Sequence, residues 1–324
     1  MSNAILIRAT GGPEVLEWAE VAVPEPGPGM ALVRHTAIGL NFIDIYVRTG
    51  LYTLGALPVS PGMEAAGVVE AVGAGVSGLA PGDRVAYVSP TPGAYAEQRV
   101  LDAGLLVKLP ADIPDKTAAA LLLKGMTAEV LLHRMTRPKA GDTVLVHAAA
   151  GGVGQILCAW GAALGLTVIG TVSTDAKAEE ARAAGARHVI VTTREDIAAR
   201  VAEITGGRGC ACVYDGVGAA TFPASLEAVA PFGAIASFGN ASGPVPPVNI
   251  ATLGPKCITL SRPSLFPFLK DRGRLEAISA SLFQAVRAGI VRARVGRTFA
   301  LREAADAHRA LESRATTGQT LLIP

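Results

Sequence analysis

Residues 142 to 177 constrain the fold of this chain more than any other stretch. A run of strand length, Thr143-Val144-Leu145-Val146, leads into the small-residue turn Ala148-Ala149-Ala150-Gly151-Gly152-Val153-Gly154. Residues suited to a helix follow from Gln155 to Gly165, and a second apolar strand run extends from Leu166 to Val172. This order predicts a βαβ unit, the supersecondary structure that binds half of a dinucleotide.

The residues of the turn have separate roles in such a unit. Gly152 lets the backbone approach a pyrophosphate, and Gly154 lets the helix pack closely on the strand. Gly151 and Val153 complete the turn, where the helix start offers free N–H groups and a partial positive charge to phosphates. Ala149 replaces the first glycine of the G-x-G-x-x-G fingerprint, so a glycine-lined turn without a ligand stays open as an alternative.

The end of the second strand predicts which dinucleotide binds. An NAD site carries Asp or Glu there, to bind the hydroxyls of the adenine ribose. This chain has Ser173, with Lys177 one helical turn further along. A hydroxyl and an ammonium group suit a 2′-phosphate, although Asp175 between them partly offsets the gain. We therefore expect NADPH to be the cofactor.

Composition excludes several other classes of protein. The net charge is +2, from 29 basic and 27 acidic residues, which gives no general footprint for nucleic acid or anionic lipid. No charged residue occurs from Thr143 to Thr174, but the glycines at its centre indicate buried parallel strands rather than a membrane span. The first ten residues lack the pattern of a signal peptide, and the four cysteines lack ligand spacing. We expect a soluble, cytoplasmic enzyme.

Residues 1 to about 122 show a different pattern of apolar residues and turns. Short apolar runs (Ala4–Ile7, Met30–Ala37, Gly67–Val72 and Arg84–Val88) alternate with clusters of Pro and Gly. Such a rhythm is typical of a small β-barrel rather than of βαβ repeats.

The segment Gly62-Met63-Glu64-Ala65-Ala66-Gly67-Val68-Val69-Glu70-Ala71-Val72-Gly73, with Gly82-Asp83-Arg84-Val85 after it, resembles a motif of the medium-chain dehydrogenase/reductase superfamily. Further matches occur in order along the chain: Gly11 to Leu16, Gly39 to Asp44, the dinucleotide stretch, Ser237 to Asn240 and Glu312 to Thr316. Together they are similar to the zinc-free branch of NADPH:quinone oxidoreductases, to which ζ-crystallin belongs.

The resemblance implies an α/β protein with a Rossmann nucleotide-binding domain and a GroES-like β-barrel catalytic domain. We expect the catalytic domain to comprise residues 1–124 and a returning segment, residues 261–324. The nucleotide-binding domain would then comprise residues 125–260.

Zinc members of this superfamily have Cys and His at two positions where this chain has Asn41 and Met63. Zinc in proteins takes Cys, His or carboxylate ligands, and Glu64 alone would not hold it. We therefore expect no metal, and we expect Glu64 to be a hydrogen-bonded loop acid. The chemistry would rest on hydride transfer from the cofactor.

The resemblance also implies that Asn41, Tyr46 and Tyr52 form the wall of a cleft that faces the nicotinamide. Asn41 could bond the nicotinamide ribose or an incoming carbonyl. Tyr46 and Tyr52 offer hydroxyls and flat rings to a quinone, the alternative being surface aromatics with their hydroxyls in solvent. Asp44 is expected to cap the local turn.

Further cofactor contacts are expected along the rest of the chain. By resemblance Thr127 lies near the nicotinamide carboxamide, and Arg262 and Arg314 approach the cofactor, unless they form a domain-closing ion pair or are solvated. Ligands of open α/β sheets bind at the carboxyl ends of strands. The candidates there are Gly216, Val217, Phe238 and Gly239. Val130 and Thr192 stand where the family often has Tyr.

The implied function is NADPH-dependent reduction of a quinone in the cleft between the domains. Reduction of the carbon–carbon double bond of an enone or alkenal is the alternative within enzymes. A structural or RNA-binding role, as in ζ-crystallin and some relatives, is the alternative outside them. The small net charge argues against RNA, and the presence of Asn41, Tyr46 and Gly152 argues against a lost active site.

The sequence also predicts a homodimer. Residues Cys257 to Leu260 are typical of an apolar strand at the end of the predicted sheet, and Lys256 to Leu260 are free to pair. An unpaired edge tends to be covered by another chain. By resemblance, two nucleotide-binding domains would pair edge to edge across a two-fold axis.

Overall fold

The computed structural model describes residues 1–52, 56–313 and 318–324. The chain forms two compact units. The first unit contains Met1–Leu123, Phe266–Phe283 and Ala293–Pro324, and the second contains Lys124–Leu265 and Gln284–Arg292.

Strands and helices alternate along much of the described chain. The strands are β1 Ser2–Leu6, β2 Glu17–Val21, β3 Met30–Leu40, β4 Glu64–Val72, β5 Arg84–Val88, β6 Gln98–Asp102, β7 Val107–Lys108, β8 Thr143–Val146, β9 Thr167–Val172, β10 His188–Val191, β11 Cys210–Asp215, β12 Val229–Ser237, β13 Thr259–Ser261, β14 Val295–Ala300 and β15 Gln319–Ile323. The helices are α1 Phe42–Arg48, α2 Asp115–Glu129, α3 Gly152–Ala163, α4 Asp175–Ala183, α5 Ile197–Thr205, α6 Phe222–Ala228, α7 Phe266–Leu269, α8 Arg272–Arg287 and α9 Ala304–Glu312. Among these helices, none has both the length and the apolar character of a membrane span.

The second unit is built on one parallel sheet, with strand order β10-β9-β8-β11-β12-β13. Counted from β8, this order is 3-2-1-4-5-6, the order of a doubly wound dinucleotide-binding sheet. The predicted Rossmann topology is therefore confirmed. The direction of the strand order reverses between β8 and β11, and such a switch point is where these sheets bind their ligands.

The strands of this sheet carry no charged residues in their interior because both faces are covered. Ten buried side chains form one core cluster around them: Leu145, Ile169, Ile190, Val201, Cys210, Val213, Phe222, Ala228, Val229 and Ile235. Burial of a side chain such as Leu or Ile contributes roughly 1.5–3 kcal/mol to folding. The uncharged run that resembled a membrane span thus forms the buried interior of a sheet covered on both faces.

One predicted helix start was wrong, and the error has a physical reason. Helix α3 begins at Gly152, not Gln155, so the glycines of the turn already form its first turn. The capping residue is Gly151, which lacks the capping side chain that usually marks a helix start in a sequence. Helix α2 begins at Asp115 and continues beyond Glu129 as a π-helical segment to Thr136.

The first unit contains a seven-stranded sheet. Its strand order is β14-β15-β3-β4-β5-β7, and β6 also pairs with β3. Strands β14 and β15 are parallel, whereas the other pairs are antiparallel. Three of the four apolar runs predicted from the sequence lie wholly in strands of this unit, and the run Ala4–Ile7 extends one residue beyond β1. Its core includes the fully buried Tyr87 and Tyr95, together with Ile38 and Leu40 of β3.

Candidate active site

Asn41 lies between strand β3 and helix α1, in the first unit, and its side chain is bonded to Glu64. The Nδ2 of Asn41 donates to Oε1 of Glu64 at 2.7 Å and makes a longer contact of 3.4 Å with the carbonyl oxygen of Gly39. Glu64, the first residue of β4, also accepts the backbone N–H of Leu123 at 2.7 Å through Oε2. Both side chains are buried.

This geometry narrows what Asn41 can bind. Its two amide hydrogens face the Glu64 carboxylate and the Gly39 carbonyl, so any ligand at this side chain must donate a hydrogen bond to Oδ1. A ribose hydroxyl can do so, whereas a substrate carbonyl cannot. Of the two roles predicted for Asn41, the geometry favours the ribose. Glu64 is hydrogen-bonded as predicted, although it begins a strand and does not lie in a loop.

Helix α1 is fixed at its start by Asp44. The Oδ2 of Asp44 accepts the backbone N–H of Asn41 at 2.8 Å and the hydroxyl of Tyr95 at 3.1 Å. The predicted capping role of Asp44 is thereby confirmed. Because the capped residue is Asn41 itself, the same carboxylate holds the backbone of the candidate site residue.

Tyr46 and Tyr52 are half-buried neighbours. Their rings meet edge to face, with centroids 5.3 Å apart, and the backbone N–H of Tyr52 donates to the carbonyl oxygen of Tyr46 at 3.0 Å. Helix α1 carries Tyr46, and Tyr52 follows it by one short turn. The two predicted aromatic residues therefore lie together in the first unit.

The donor atoms near Asn41 do not fit a zinc ion. Asn41 is committed to Glu64, and Met63 is fully buried with a thioether that zinc does not take as a ligand. Within residues 1–52, 56–313 and 318–324, no group of three or more His, Cys, Asp and Glu side chains is placed to hold a metal.

The glycine turn of the second unit has the close packing that a pyrophosphate cradle needs. A Cβ on Gly154 would lie 2.2 Å from the carbonyl oxygen of Ala148, so only glycine lets α3 approach the end of β8 this closely. A Cβ on Gly152 would lie 2.9 Å from Cδ and 3.0 Å from Cε of Lys124. Gly151 caps the helix and Val153 is half-buried beside it. The residues present fit a bound dinucleotide.

Lys124 is a residue whose importance the sequence did not reveal. Its side chain is 7% exposed, and its alkyl part covers Gly152 at the N-terminus of α3. Thr127 follows it by three residues on α2 and is half-buried, so the two residues lie on one face of the helix. A motif search could have noted the lysine but not its proximity to the turn.

The loop after β11 is held by Asp215, at the switch point of the sheet. Its Oδ1 accepts the N–H groups of Val217 and Gly218, each at 2.9 Å. Its Oδ2 accepts the hydroxyl of Ser225 at 3.0 Å. Asp215 is fully buried and therefore fixes the backbone of Gly216 and Val217, two of the predicted cofactor contacts.

His147, at the end of β8, extends this network. Its Nε2 lies 3.0 Å from Oγ of Ser225, and its Nδ1 lies 3.0 Å from Oγ1 of Thr171 at the end of β9. Burial lowers the pKa of His147, although the charge of Asp215 opposes the shift. A neutral ring satisfies the network, with Nε2 donating to Ser225, which in turn donates to Asp215. The ends of β8, β9 and β11 are thus joined below the glycine turn.

Phe238 and Gly239 follow β12 and lie beside Gly216. A Cβ on Gly239 would lie 2.1 Å from the carbonyl oxygen of Gly216, and a Cβ on Gly216 would lie 2.9 Å from the ring of Phe238. Arg262 donates from Nη1 to the carbonyl oxygen of Ser237 at 2.8 Å. The structure therefore brings these predicted residues together at the carboxyl ends of β11 and β12.

Ser173 and Lys177 lie at the carboxyl end of β9. Ser173 is exposed directly after the strand, and Lys177 is half-buried in the first turn of α4. The hydroxyl of Thr193 donates to the carbonyl oxygen of Ser173 at 3.3 Å. Asp175 forms a two-pronged pair with Arg194, at 2.8 Å and 2.6 Å. Arg194 is the second residue that sequence reasoning missed.

Arg314, another predicted cofactor contact, lies outside the described residues.

Two family models match the chain. The model of the alcohol dehydrogenase GroES-like domain matches residues 27–111, and the model of the zinc-binding dehydrogenase matches residues 152–271. Despite the second model's name, the side chains at Asn41 and Met63 are not zinc ligands.

Known relatives match over the whole chain. The sequence is 47% identical to a quinone oxidoreductase of Pseudomonas aeruginosa, with 100% of both chains covered. It is 44% identical to a 2-haloacrylate reductase of a Burkholderia species, with 100% of this chain and 99% of the other covered. The structure matches Escherichia coli quinone oxidoreductase complexed with NADPH with a TM-score of 0.96 and 43% identity, over 99% of this chain and 100% of the other.

Proposed function

We infer that this chain, which belongs to the quinone oxidoreductase branch of the medium-chain dehydrogenase/reductase superfamily, is an NADPH-dependent quinone reductase. The observation that carries the proposal is the glycine turn between β8 and α3, at the switch point of a 3-2-1-4-5-6 parallel sheet. The relative whose structure contains NADPH supports the choice of cofactor.

The second unit would hold the cofactor along the carboxyl edge of its sheet. Gly151, Gly152, Val153 and Gly154 would receive the pyrophosphate, and Ser173 and Lys177 the 2′-phosphate. Thr127, Gly216, Val217, Phe238, Gly239 and Arg262 would line the nicotinamide half, and Arg314 is proposed from the sequence alone. We assign the nucleotide-binding domain to residues 125–260 and the catalytic domain to residues 1–124 and 261–324.

Bound NADPH supplies a hydride, which a quinone accepts with a proton to give the hydroquinone. Asn41, held by Glu64, would accept a hydrogen bond from the nicotinamide ribose and so orient the ring. Tyr46 and Tyr52 would present their ring faces and hydroxyls to the quinone. No metal is required for this chemistry.

Reduction of an activated carbon–carbon double bond is the second candidate. The relative named 2-haloacrylate reductase, 44% identical over the full chain, favours it. A quinone and an enone both accept hydride at an electron-poor carbon, so one site geometry could serve either substrate.

We further propose that the protein is cytoplasmic and forms a homodimer through β13. This strand is the last in the sheet order and is paired with β12 on one side. The absence of charge along it supports edge pairing with a second copy.

Initial rates of NADPH oxidation decide between the two activities. Purified protein is assayed with a panel of quinones and with a panel of enones and 2-haloacrylates. The proposal predicts a higher kcat/KM for quinones. Rates that are higher throughout the second panel would assign double-bond reduction instead, and no oxidation with either panel would refute both.

A further inference from the structure

The corner between β9 and β10 contains a charge pair that has no part in the fold's core. Arg194 lies three residues beyond β10, and Asp175 is the first residue of α4, which follows β9. The side chains of Arg194 and Asp175 are 58% and 71% exposed. Nη1 of Arg194 bonds Oδ2 of Asp175, and Nη2 bonds Oδ1.

The backbone around Arg194 is fixed against the end of β9. The N–H of Thr192 donates to the carbonyl oxygen of Val172 at 2.9 Å, and the hydroxyl of Thr193 donates to that of Ser173 at 3.3 Å. The N–H of Arg194 itself donates to Val191 at 3.1 Å. These bonds hold Arg194 beside Ser173, where the adenine ribose of a dinucleotide lies in this fold.

Without Arg194, the charges of this corner would not favour the binding of a 2′-phosphate. An acid at the end of the second strand favours NAD, because it binds the ribose hydroxyls and repels a 2′-phosphate. Asp175 lies two residues beyond Ser173 and brings such an acid close. Lys177 and Asp175 alone would sum to zero charge, and Arg194 adds one positive charge, because the adjacent acid Glu195 is paired with Arg200 at 3.0 Å.

Arginine also has the geometry to bind a phosphate here. Its fork presents five donors and matches two oxygens of a phosphate at once. Asp175 occupies the Nη1 and Nη2 ends, which leaves the Nε edge of the fork for a second oxyanion. An exposed ion pair is a weak tether, so a phosphate can share the guanidinium or replace the carboxylate.

We propose that Arg194 is a specificity-determining residue for the cofactor: it neutralises Asp175 and binds the 2′-phosphate of NADPH together with Ser173 and Lys177. This inference rests on the proposed use of NADPH. It adds a residue beyond those that the fingerprint and the strand end predict.

The test compares dissociation constants for NADPH and NADH, measured by fluorescence titration, in Arg194→Ala, Asp175→Asn and the double variant. Arg194→Ala should weaken NADPH binding about tenfold to a hundredfold, the value of a lost charge-assisted contact, and change NADH binding less than about twofold. Asp175→Asn should strengthen NADPH binding. Adding Asp175→Asn to Arg194→Ala should restore part of the loss, because it removes the unpaired acid.

Arg182→Ala is the matched control. Arg182 pairs with Glu179 on the same helix, and their side chains are 50% and 76% exposed. The Arg182→Ala variant should keep the wild-type dissociation constants for NADPH and NADH. If Arg194→Ala weakens NADPH and NADH equally, or weakens neither, Arg194 is only a tether between the loop and α4, and the inference is wrong. Arg194→Gln gives the same comparison should Arg194→Ala lose thermal stability.

Displacement by 2′,5′-ADP and by 5′-AMP separates this inference from the proposed function. Wild type should bind 2′,5′-ADP more tightly, and Arg194→Ala should lose most of that preference. A wild type with no preference refutes the choice of NADPH, and the role of Arg194 with it. A preference that survives Arg194→Ala refutes only the role of Arg194.

Discussion

The side chain of Asn41 donates a 2.7 Å hydrogen bond to the buried carboxylate of Glu64, which accepts the N–H of Leu123 through its other oxygen. The resemblance to the superfamily implies that its zinc members have a cysteine in the place of Asn41. Here an amide takes that place and is oriented by the acid. This hydrogen bond commits the side chain of Asn41 to Glu64, in keeping with the proposed zinc-free site.

Replacement of Glu64 tests this arrangement. Glu64→Gln puts an amide NH₂ against either Nδ2 of Asn41 or the N–H of Leu123, so one buried donor loses its acceptor. The free energy of unfolding, measured in urea, should fall by about 1–3 kcal/mol. Glu17→Gln, at the exposed pair with Arg8, should change it by less than about 1 kcal/mol. Equal stability of the two variants would contradict the buried contact.

Two glycines of one turn should respond differently to alanine. A Cβ on Gly154 meets the backbone oxygen of Ala148 at 2.2 Å, whereas a Cβ on Gly152 meets only the flexible side chain of Lys124. Gly154→Ala should therefore lower the melting temperature. Gly152→Ala should fold with nearly wild-type stability but bind NADPH at least about tenfold more weakly, since the Cβ and the displaced lysine enter the phosphate cradle. Calorimetry and cofactor titration measure both effects, and a Gly152→Ala protein with unchanged affinity would contradict the cradle.

The turn was predictable from the sequence because its signal is local. Two β-branched runs, a glycine cluster and a helix of suitable length are consecutive, and the buried strands β8 and β9 follow directly from them. The start of α3 was not predictable, because its capping residue Gly151 has no side chain. The positions of Lys124 and Arg194 depend on chain segments that meet only in the folded protein. No local pattern distinguishes Arg194, which pairs with Asp175, from Arg182, which pairs within its own helix.

The stability of the fold should decrease as the pH falls, because a buried histidine is neutral in the folded chain. Nδ1 of His308 lies 3.1 Å from Nη1 of Arg48, which is paired with Glu312, and Nε2 lies 3.0 Å from the hydroxyl of Tyr95. Burial, and then the charge of Arg48, lower the pKa of His308 to about 3. The unfolded chain binds this proton near pH 6.5 while the folded chain does not. Stability is therefore complete above about pH 6.5 and is lost as the pH falls towards 3, by up to about 1.4 kcal/mol per pH unit.

Urea unfolding between pH 7.5 and 4.5 measures this slope. His308→Gln keeps a donor for Tyr95 and an acceptor for Arg48 but cannot titrate. The unfolding free energy of the variant should therefore depend less steeply on pH, by the contribution of one proton. His35, whose pKa burial lowers to about 4, contributes equally to both proteins. Identical slopes in wild type and His308→Gln would show that His308 is protonated in the folded state.

The proposed dimer can be tested at β13. Ile258 and Leu260 pack against the core of the second unit, so their replacement would confound assembly with folding. Thr259 is exposed on the strand, and Thr259→Lys would place like charges at a two-fold seam. Light scattering should give twice the chain mass of 33.0 kDa for wild type and a lower mass for the variant. Ser77→Lys, on an exposed loop of the first unit, should remain a dimer; a monomeric wild type would refute the proposal.

Quinone-dependent oxidation of NADPH by protein that has been exhaustively treated with a chelator tests the central claim most directly. With 1,4-naphthoquinone as acceptor, the account predicts that NADPH is oxidised at the rate of the untreated protein, that NADH is oxidised with a kcat/KM at least about tenfold lower, and that elemental analysis finds no stoichiometric zinc. One zinc per chain with activity lost on its removal, or no quinone-dependent oxidation of NADPH, would contradict it.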